Sequence, residues 1–239
     1  MVFSFIIPAH NEEKLLPRTL ESIHEAAKTV GLDYEIIVAD DASTDATPEL
    51  ATQHGAKLVR VDHRQISKTR NSGAAAATGD VFVFVDADTM VGPALLESLR
   101  ITINNGSIGG GAAVSFDGRL PLYGKVLLRP FAFLYQRLAG YAYGCFVFCT
   151  REAFKSVGGF DETLFASEEV TISIALRREG KFTLLREPVI TSGRKLRTYS
   201  FWECLKMIGG FILGGGQCTM KSRDRLGLWY DPRREDVEG

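Results

Sequence analysis

The chain has 239 residues, of which 45% are hydrophobic and 24% are charged, and its formal net charge is −1. This length suits one large α/β domain or two small ones, and the near-neutral charge gives no overall electrostatic case for a nucleic-acid partner. No run of 18 apolar residues occurs, and the N-terminus lacks the basic region and cleavage site of a signal peptide. These features predict a globular, cytoplasmic protein without a membrane-spanning helix.

The first hundred residues alternate between buried strands and amphipathic helices. Leu16, Leu20, Ile23 and Ala27 follow the spacing of one helical face, and this helix should end at Gly31. Because the strands are apolar on both faces, the pattern predicts a mostly parallel sheet covered by helices on both faces, an α/β fold. The predicted strands are 2–8, 34–40, 57–61 and 81–85, and three of the predicted helices are 16–30, 67–79 and 93–104. A further helix, between the second and third strands, is predicted to be capped by Ser43 or Asp45 and to end near 54–55.

The second half of the chain is less regular. Residues 120–140 are rich in Leu, Phe and Tyr and fit neither period clearly. We therefore divide the chain into a first half, 1–105, a second half, 106–198, and a C-terminal helical extension with its tail, 199–239. Strands are predicted at 109–118, 141–150 and 181–187, a short helix and turn at 151–161, and a helix at 167–180.

Polar residues follow three of the predicted parallel strands. Pro8 closes the first strand, Asp40–Asp41 closes the second, and Asp86–Asp88 follows the fourth. In open α/β sheets, ligands bind beyond the carboxyl ends of the strands. The sequence therefore predicts a binding site at this edge.

The segment Asp86-Ala87-Asp88 places two carboxylates one residue apart after five apolar residues. Alternate residues of an extended segment face the same way, so both carboxylates can address one cation. Carboxylate oxygens suit Mg²⁺ or Mn²⁺, which bind one or two carboxylates together with substrate phosphates. A solvated turn is the alternative interpretation of these two residues.

The pair Asp40–Asp41 permits two interpretations. A carboxylate at a strand end can accept a hydrogen bond from a nucleotide base or a ribose hydroxyl. The pair can equally compensate the dipole of the following helix, as Asp45 could. No GxGxxG and no GxxxxGK[ST] occurs in the chain, which excludes the dinucleotide fingerprint and the P-loop.

Four segments, in this order, resemble the family 2 glycosyltransferases with the GT-A fold. The resemblance extends over residues 2–198 and implies a nucleotide-sugar-binding first half and an acceptor-binding second half. It further implies metal-dependent transfer of a sugar from a nucleoside-diphosphate sugar to an acceptor hydroxyl, by a single displacement that inverts the anomeric carbon. The four segments are FIIPAHNEE, EIIVADDASTDAT, RNSGAAAATGDVFVFVDADT and GGFDETLFASEEVTISIALRREG.

The resemblance also implies the donor-binding residues. In the family, the Pro-x-x-Asn-Glu segment and the second Asp of the acidic pair hold the base, the Arg-Asn segment lines the nucleotide pocket, and the DxD motif binds the ribose and the metal. The corresponding residues here are Pro8, Ala9, Asn11, Glu12 and Asp41 for the base, Arg70 and Asn71 with nearby Lys68 for the pocket, and Asp86, Ala87 and Asp88 for the ribose and the metal.

A second acidic pair, Glu168-Glu169, opens the predicted helix 167–180. From the residues alone, two carboxylates at a helix N-terminus are favoured by the helix dipole and need no catalytic role. In the family, this pair usually reads Glu-Asp, and its second member is the general base that deprotonates the acceptor. The resemblance therefore implies Glu169 as the base, with Glu168 as the alternative because Glu169 is one methylene longer than the usual residue.

The segment 194–213 mixes basic with large apolar side chains. By resemblance, Arg194 or Arg197 could contact the donor pyrophosphate. Alternatively, the segment forms a helix on a membrane surface, at the inner face of the membrane, which presents a lipid-linked acceptor. A third interpretation is a helix packed on the catalytic domain with a solvated basic edge. The acceptor itself remains open between a glycan, a lipid-linked and a small-molecule class.

Two rival functions use the same residues. A degenerate relative could bind a nucleotide or glycan without turnover, although both acidic pairs are intact. A nucleotidyltransferase would usually carry a basic, glycine-rich loop after the first strand, where this chain has the acidic PAHNEEK. Tyr141, Tyr143 and Phe146 could form an aromatic platform under an acceptor or belong to the core.

Overall fold

The structure is a computed structural model that describes residues 1–119, 121, 140–198 and 203. Most of the unassigned stretch 120–140, and all of the predicted extension 199–239 except Glu203, lie outside the described residues. The membrane-surface helix proposed within 194–213 therefore lies largely outside them. Among the described residues, no helix combines the length and apolar character that crossing a membrane requires.

The described residues form alternating strands and helices in the first half, as predicted. The strands are β1 (Val2–Ala9), β2 (Asp33–Asp41), β3 (Lys57–Val61), β4 (Val81–Val85), β5 (Thr89–Met90), β6 (Gly109–Phe116), β7 (Phe146–Thr150) and β8 (Phe182–Thr191). The helices are α1 (Leu16–Val30), α2 (Thr47–Gln53), α3 (Ile66–Ala76), α4 (Pro93–Asn104), α5 (Arg151–Ser156), α6 (Glu168–Glu179) and α7 (Arg194–Thr198).

One eight-stranded sheet contains strands of both halves of the chain, in the order β3-β2-β1-β4-β7-β6-β8-β5. Strands β3, β2, β1 and β4 are all parallel, which brings their carboxyl ends to one edge. β7 runs antiparallel between β4 and β6, while β8 pairs parallel with β6 and antiparallel with β5. The predicted mostly parallel α/β sheet is confirmed, with an antiparallel insertion in its second half.

Helices cover both faces of the sheet because neighbouring residues of each strand point to opposite sides. Phe5 and Ile7 of β1 pack with Leu20 of α1 on one face, in a core that also includes residues of α2 and α4. Ile6 packs on the other face, together with Phe154 of α5 and residues of α3 and α6. Burial on both faces explains why the strands read as continuous apolar runs.

The ends of α1 follow local sequence signals, and the start of α2 follows them in part. α1 has proline in its first turn and ends at Gly31, whose φ of 69° is the left-handed value that glycine adopts without strain. The predicted capping of α2 by Ser43 is wrong, whereas Asp45, one residue before the N-cap position Ala46, accepts from the N–H of Thr47, the first residue of the helix. Asp45 also accepts from the hydroxyl of Thr47, and the Ser43 hydroxyl accepts from the backbone N–H of Asn11. Both side chains therefore tie down loops at the carboxyl edge of the sheet.

Candidate active site

A cavity of about 710 Å³ opens at the carboxyl edge of the parallel strands, where the sequence places the site. The loops after β1, β3 and β4 and the last residue of β2 contribute to it, as do the segment preceding α6 and the first residues of α6. The structure brings together eleven of the residues proposed from the sequence. They are Pro8, Ala9, Asn11, Glu12, Asp41, Arg70, Asp86, Ala87, Asp88, Glu168 and Glu169.

Backbone strain is concentrated around this cavity. Among the described residues, the non-glycine positions with positive φ are Asn11, Ala42, Arg64 and Ser167, at 50° to 63°. Asn11, Arg64 and Ser167 line the cavity, and Ala42 follows a lining residue. A conformation of this kind costs on the order of 1–3 kcal/mol and persists where the surroundings impose it, which is typical of binding sites.

The backbone of Asp86-Ala87-Asp88 is fixed from several sides. The N–H of Asp86 donates to the carbonyl of Cys145 in the turn before β7, and the Asp86 carbonyl accepts from the N–H of Thr89. The buried hydroxyl of Thr19 in α1 donates to the Ala87 carbonyl at 2.9 Å. The loop can therefore hold both carboxylates at the cavity with little backbone freedom.

Arg70 of α3 connects the two acidic pairs. Its guanidinium, whose side chain is 1% exposed, donates to Asp86 Oδ1 at 2.8 Å and to the carboxylate of Glu168. It also donates to the carbonyl oxygen of Gly144 at 2.7 Å and stacks over the ring of Phe160. Burial alone would lower the pKa of Arg70, but Asp86 and Glu168 outweigh it and raise that pKa, so the side chain is a permanent cation.

Asp88 has a different arginine partner. Arg194 of α7 donates through one nitrogen to Asp88 Oδ2 at 3.0 Å and to Glu12 Oε1 at 2.7 Å. Glu12 is 3% exposed and belongs to the loop after β1, so this cluster joins three parts of the chain. Arg194 itself is not among the cavity-lining residues.

The carboxylates of Asp86 and Asp88 fit a divalent cation. Both line the cavity, with side chains that are 31% and 17% exposed, so each can contribute a hard oxygen ligand there. Burial raises the pKa of Asp86, with Arg70 opposing and Asp88 reinforcing the shift. Within the described part of the chain, no group of three or more His, Cys, Asp or Glu side chains forms a complete protein cage. A two-carboxylate site is the kind that Mg²⁺ and Mn²⁺ complete with substrate phosphates.

Glu168 and Glu169 lie in different environments although they are adjacent. Glu168 is 4% exposed and paired with Arg70, whereas Glu169 is partly buried and lines the cavity. Burial, reinforced by the charge of Glu168, raises the pKa of Glu169 to about 8. Divergent environments of this kind are how proteins give two carboxylates separate roles in proton transfer.

Asp41 also lines the cavity, and its carboxylate is engaged by the loop after β3. Oδ1 accepts from the backbone N–H groups of His63 and Arg64, and Oδ2 accepts from the N–H of Gln65 and the hydroxyl of Thr69. Burial alone would raise the pKa of Asp41, but these hydrogen bonds outweigh it and hold that pKa below its usual range.

Four of the binding residues proposed from the sequence do not line the cavity: Arg194, described above, and Lys68, Asn71 and Arg197. On α3, Thr69 and Arg70 line it, while Lys68 and Asn71 do not. Asn71 instead exchanges hydrogen bonds with the backbone of Phe160 and donates to Glu162. Arg197 donates to the carboxylate and carbonyl of Asp117. A step of two residues turns a helix by about 200°, so the spacing of Lys68 and Arg70 could have shown that they face apart.

Several lining residues were not proposed from the sequence. Arg64, Gln65 and Lys195 are polar members of this set. The sequence left open whether Tyr143 and Phe146 form an aromatic platform or belong to the core. Tyr143 lines the cavity, whereas Phe146 is fully buried in the core. The apolar part of the lining includes Ile66, Val114, Phe116, Phe165 and Leu196.

Comparison with curated proteins finds partial relatives. The chain is 35% identical over 136 residues to a dolichol-phosphate mannosyltransferase of Pyrococcus furiosus. The matched region covers 55% of this chain and 37% of that protein. It is 37% identical over 93 residues to an undecaprenyl-phosphate 4-deoxy-4-formamido-L-arabinose transferase of Pseudomonas fluorescens, covering 36% of this chain and 27% of that protein. The chain thus spans well under half the length of these relatives.

Comparison with solved structures supports the fold. A mannosyltransferase from Pyrobaculum calidifontis, in complex with GDP-Man and Mn²⁺, superposes with a TM-score of 0.67 at 18% identity, over 88% of this chain and 61% of that one. S. aureus TarS superposes with a TM-score of 0.63 at 22% identity, over 89% of this chain and 66% of that one. The predicted GT-A fold is confirmed.

The family assignment rests on the first two-thirds of the chain. The family model described as glycosyl transferase family 2 matches residues 4–157, which is more than half of the sequence. This range contains most of β1, all of β2 to β4, Arg70 and the Asp86-Ala87-Asp88 loop. The chain therefore belongs to glycosyl transferase family 2.

Proposed function

We propose that the protein transfers a sugar from a nucleoside-diphosphate sugar to an acceptor hydroxyl, with a divalent metal ion, by a single inverting displacement. The observation that carries this proposal is that both acidic pairs, Asp86/Asp88 and Glu168/Glu169, line the same cavity. Arg70 bonds to a member of each pair, so the donor-binding and acceptor-activating groups are held in one rigid arrangement. Family membership and the structural neighbours support the same reaction class.

The donor nucleotide would lie along the carboxyl edge of the sheet. Its base end would meet the end of β1 and the loop after it, which present Pro8, Ala9 and Asn11 to the cavity, and Asp41 at the end of β2. Its diphosphate would meet the loop after β4. Lys195 lines the cavity and provides a cation that could contact the diphosphate, a role that the sequence suggested for Arg194 or Arg197.

The proposed metal ligands are Asp86 and Asp88. A bound Mg²⁺ or Mn²⁺ would supply Lewis-acid stabilisation of the departing diphosphate, worth on the order of several kcal/mol. The chain's own contribution is to hold the two carboxylates. Arg70 orients Asp86, and Arg194 orients Asp88 together with Glu12. A structural neighbour that binds GDP-Man together with Mn²⁺ supports this choice of ions.

Glu169 is proposed as the general base. Its carboxylate would take the proton of the acceptor hydroxyl while the hydroxyl oxygen bonds to the anomeric carbon. The bond from that carbon to the diphosphate oxygen would break, and the nucleoside diphosphate would leave with the electron pair. Glu168 is already paired with Arg70, which favours Glu169 for the base. A positioned base contributes about 10²- to 10⁴-fold to the rate.

The acceptor class is proposed only in outline. Tyr143, Phe116 and Phe165 give part of the cavity an aromatic lining, which suits the apolar face of a sugar or an apolar aglycone. Relatives named for dolichol phosphate and undecaprenyl phosphate support a lipid-linked acceptor at the inner face of the membrane. A glycan and a small molecule are the other proposed classes.

A thermal-shift experiment on the purified protein tests the proposal. UDP, GDP, CDP and dTDP are each added with and without Mn²⁺. The expected result is stabilisation by one nucleotide that is larger with Mn²⁺, because a ligand that binds only the folded state raises the melting temperature. Flat curves for every nucleotide would contradict the proposed function and favour a relative that has lost donor binding.

A further inference from the structure

Asn71 follows Arg70 on α3, but its side chain is bonded to the residues that precede α6 rather than to the cavity. Its Oδ1 accepts from the backbone N–H of Phe160 at 3.0 Å. Its Nδ2 donates to the Phe160 carbonyl oxygen at 2.9 Å and to Glu162 Oε1 at 3.0 Å. An amide nitrogen carries two hydrogens. Both hydrogens and the amide oxygen of Asn71 are therefore engaged within the chain.

This contact explains why the residue is an asparagine. The N–H of Phe160 can only donate and its carbonyl can only accept, so one side chain that bonds both must carry an acceptor and a donor side by side. Aspartate has the same length but only accepts, and leucine does neither. Gly159, whose φ is 78°, leaves room for the amide, because a Cβ there would lie 2.9 Å from Asn71 Oδ1.

The far end of the same segment is held by the neighbouring residue of α3. Arg70 forms the buried ion pair with Glu168, the first residue of α6. Its guanidinium also stacks over the ring of Phe160, 5.3 Å from the centroid. Residues 161–167 therefore form a loop whose two ends are attached to adjacent residues of one helix.

The middle of this loop is held by the start of α3. Gln65 Nε2 donates to the carbonyl oxygens of Glu162 and Leu164, at 2.7 and 2.8 Å. The hydroxyl of Ser67 donates to the Leu164 carbonyl at 3.0 Å. Gln65 and Ser67 are both buried, so these hydrogen bonds are shielded from water. The loop 161–167 is thus fixed on α3 in its middle as well as at its two ends.

The end of the loop and the turn after it carry part of the cavity wall and the proposed base. Phe165, Ala166 and Ser167 line the cavity, and Glu169 follows in the first turn of α6. The φ of Ser167 is 63°, a strained value that persists only where the surroundings impose it. The contacts with α3 impose it from both sides. Loosening them would let Ser167 relax and would change the direction in which Glu169 leaves the helix.

We propose that Asn71 is a positioning residue for the general base: it fixes the loop 161–167 on α3 and thereby keeps Glu169 within reach of the acceptor proton. The inference rests on the proposed function, because Glu169 is a base only in that function. It also departs from the resemblance, which implies that Asn71 lines the nucleotide pocket. A pocket residue acts on donor affinity, whereas a positioning residue acts on the turnover of bound donor.

Release of nucleoside diphosphate from UDP-GlcNAc and from GDP-Man, with Mn²⁺ and with water as the acceptor, tests this role. These two donors are bound in complexes of structural neighbours. The water oxygen bonds to the anomeric carbon, its proton passes to Glu169, and the bond from that carbon to the diphosphate oxygen breaks. Water therefore requires the same base as an acceptor hydroxyl.

The proteins are the unmodified chain, Asn71→Leu, Asn71→Asp and Asn104→Leu. Asn104 is exposed on α4 and outside the cavity lining, so Asn104→Leu is the matched control. Asn71→Leu removes all three hydrogen bonds. Asn71→Asp keeps the acceptor for the N–H of Phe160 and loses only the two donated bonds, so it should fold even if Asn71→Leu does not.

Both Asn71 variants should lower kcat about 10- to 100-fold, the cost of displacing a catalytic group by about 1 Å. Their KM for the donor, and their affinities for UDP and GDP by isothermal titration, should not change. Asn104→Leu should match the unmodified chain. Hydrogen exchange measured by mass spectrometry should become faster in residues 160–169 of the Asn71 variants, because the loop loses its attachment.

Two results would overturn the role of Asn71. Weaker nucleotide binding or a higher donor KM with unchanged kcat would return Asn71 to the nucleotide pocket. Unchanged kcat in both variants, despite faster exchange in the loop, would show that the attachment does not position the base. Failure of the proposed function is distinguishable from both, since it would appear in the unmodified protein as the absence of nucleotide binding and of release from either donor.

Discussion

Arg70 and Glu168 form a buried ion pair that joins α3 to the start of α6 across 98 residues of sequence. The same guanidinium holds Asp86, so one cation neutralises a residue of each acidic pair. Buried charges are tolerated when they are paired and hydrogen-bonded, and here Gly144 supplies a further acceptor. The relative position of the two carboxylate pairs is therefore determined by buried contacts of the core rather than by the conformation of loops.

Removing the cation should destabilise the fold. Arg70→Met leaves Glu168 buried without its partner, and breaking a buried pair in this way costs about 3–5 kcal/mol. Urea denaturation of Arg70→Met should show this loss. In the double variant Arg70→Met/Glu168→Gln, part of the loss should be recovered because the buried charge is gone. Equal stability of the single and double variants would show that the pair is not energetically coupled.

The two glutamates should respond differently to the same substitution. Glu169→Gln should lower the transfer rate about 10²- to 10⁴-fold, the usual contribution of a general base, without weakening donor binding. Glu168→Gln should mainly reduce stability, because it removes a partner of Arg70. Steady-state kinetics and denaturation of both variants separate the two effects. Full activity of Glu169→Gln would move the base to another residue.

The transfer rate should rise with pH through the region around 8. The base must be ionised to accept a proton, and burial beside Glu168 raises the pKa of Glu169 to about 8. The ionised, active form should therefore be a minority at neutral pH and should increase as the pH rises. A pH profile of kcat/KM checks this, and its ascending limb should vanish in Glu169→Gln. A profile that is flat between pH 6 and 9 would contradict the assignment.

The residues that make nucleotide binding depend on Mn²⁺ should lie in the loop after β4. Asp88→Asn should abolish the part of the nucleotide-induced thermal shift that requires Mn²⁺, because an amide oxygen is a weaker ligand than a carboxylate. EDTA should have the same effect on the unmodified protein. Asp33→Asn is the matched control, since Asp33 is exposed at the start of β2, at the opposite edge of the sheet. A Mn²⁺-dependent shift that persists in Asp88→Asn would argue against this metal site.

Gly110 should not tolerate any side chain. A Cβ added at this position of β6 would lie 1.9 Å from the Thr183 carbonyl oxygen and 2.5 Å from the Phe148 ring. Overpacking of this kind costs about 1–3 kcal/mol and sometimes more. Thermal denaturation of Gly110→Ala should show a clear loss of stability. Gly92→Ala, where a Cβ meets nothing within 4 Å, is the control.

The sequence by itself determined the first half of the fold and the edge at which the cavity lies. Apolar runs of strand length, helical spacing in α1 and the glycine at its end are local signals that each element carries in its own residues. Once the strands were read as parallel, Pro8, Asp41, Asp86 and Asp88 had to gather at one edge, since parallel strands end together. The resemblance to family 2 glycosyltransferases added Glu168 and Glu169.

Only the tertiary structure decided which side chains meet. β7 inserts antiparallel beside β4, and this long-range pairing brings Gly144 to Arg70; no local pattern encodes it. The side of α3 that faces the cavity depends on how the helix packs, which separates Arg70 from Lys68. The hydrogen bonds to the Asp41 carboxylate come from donors 22 to 28 residues away. The spacing of apolar residues determines whether a segment is a strand or a helix. Contacts between distant segments follow only from the packing of the whole chain into one core.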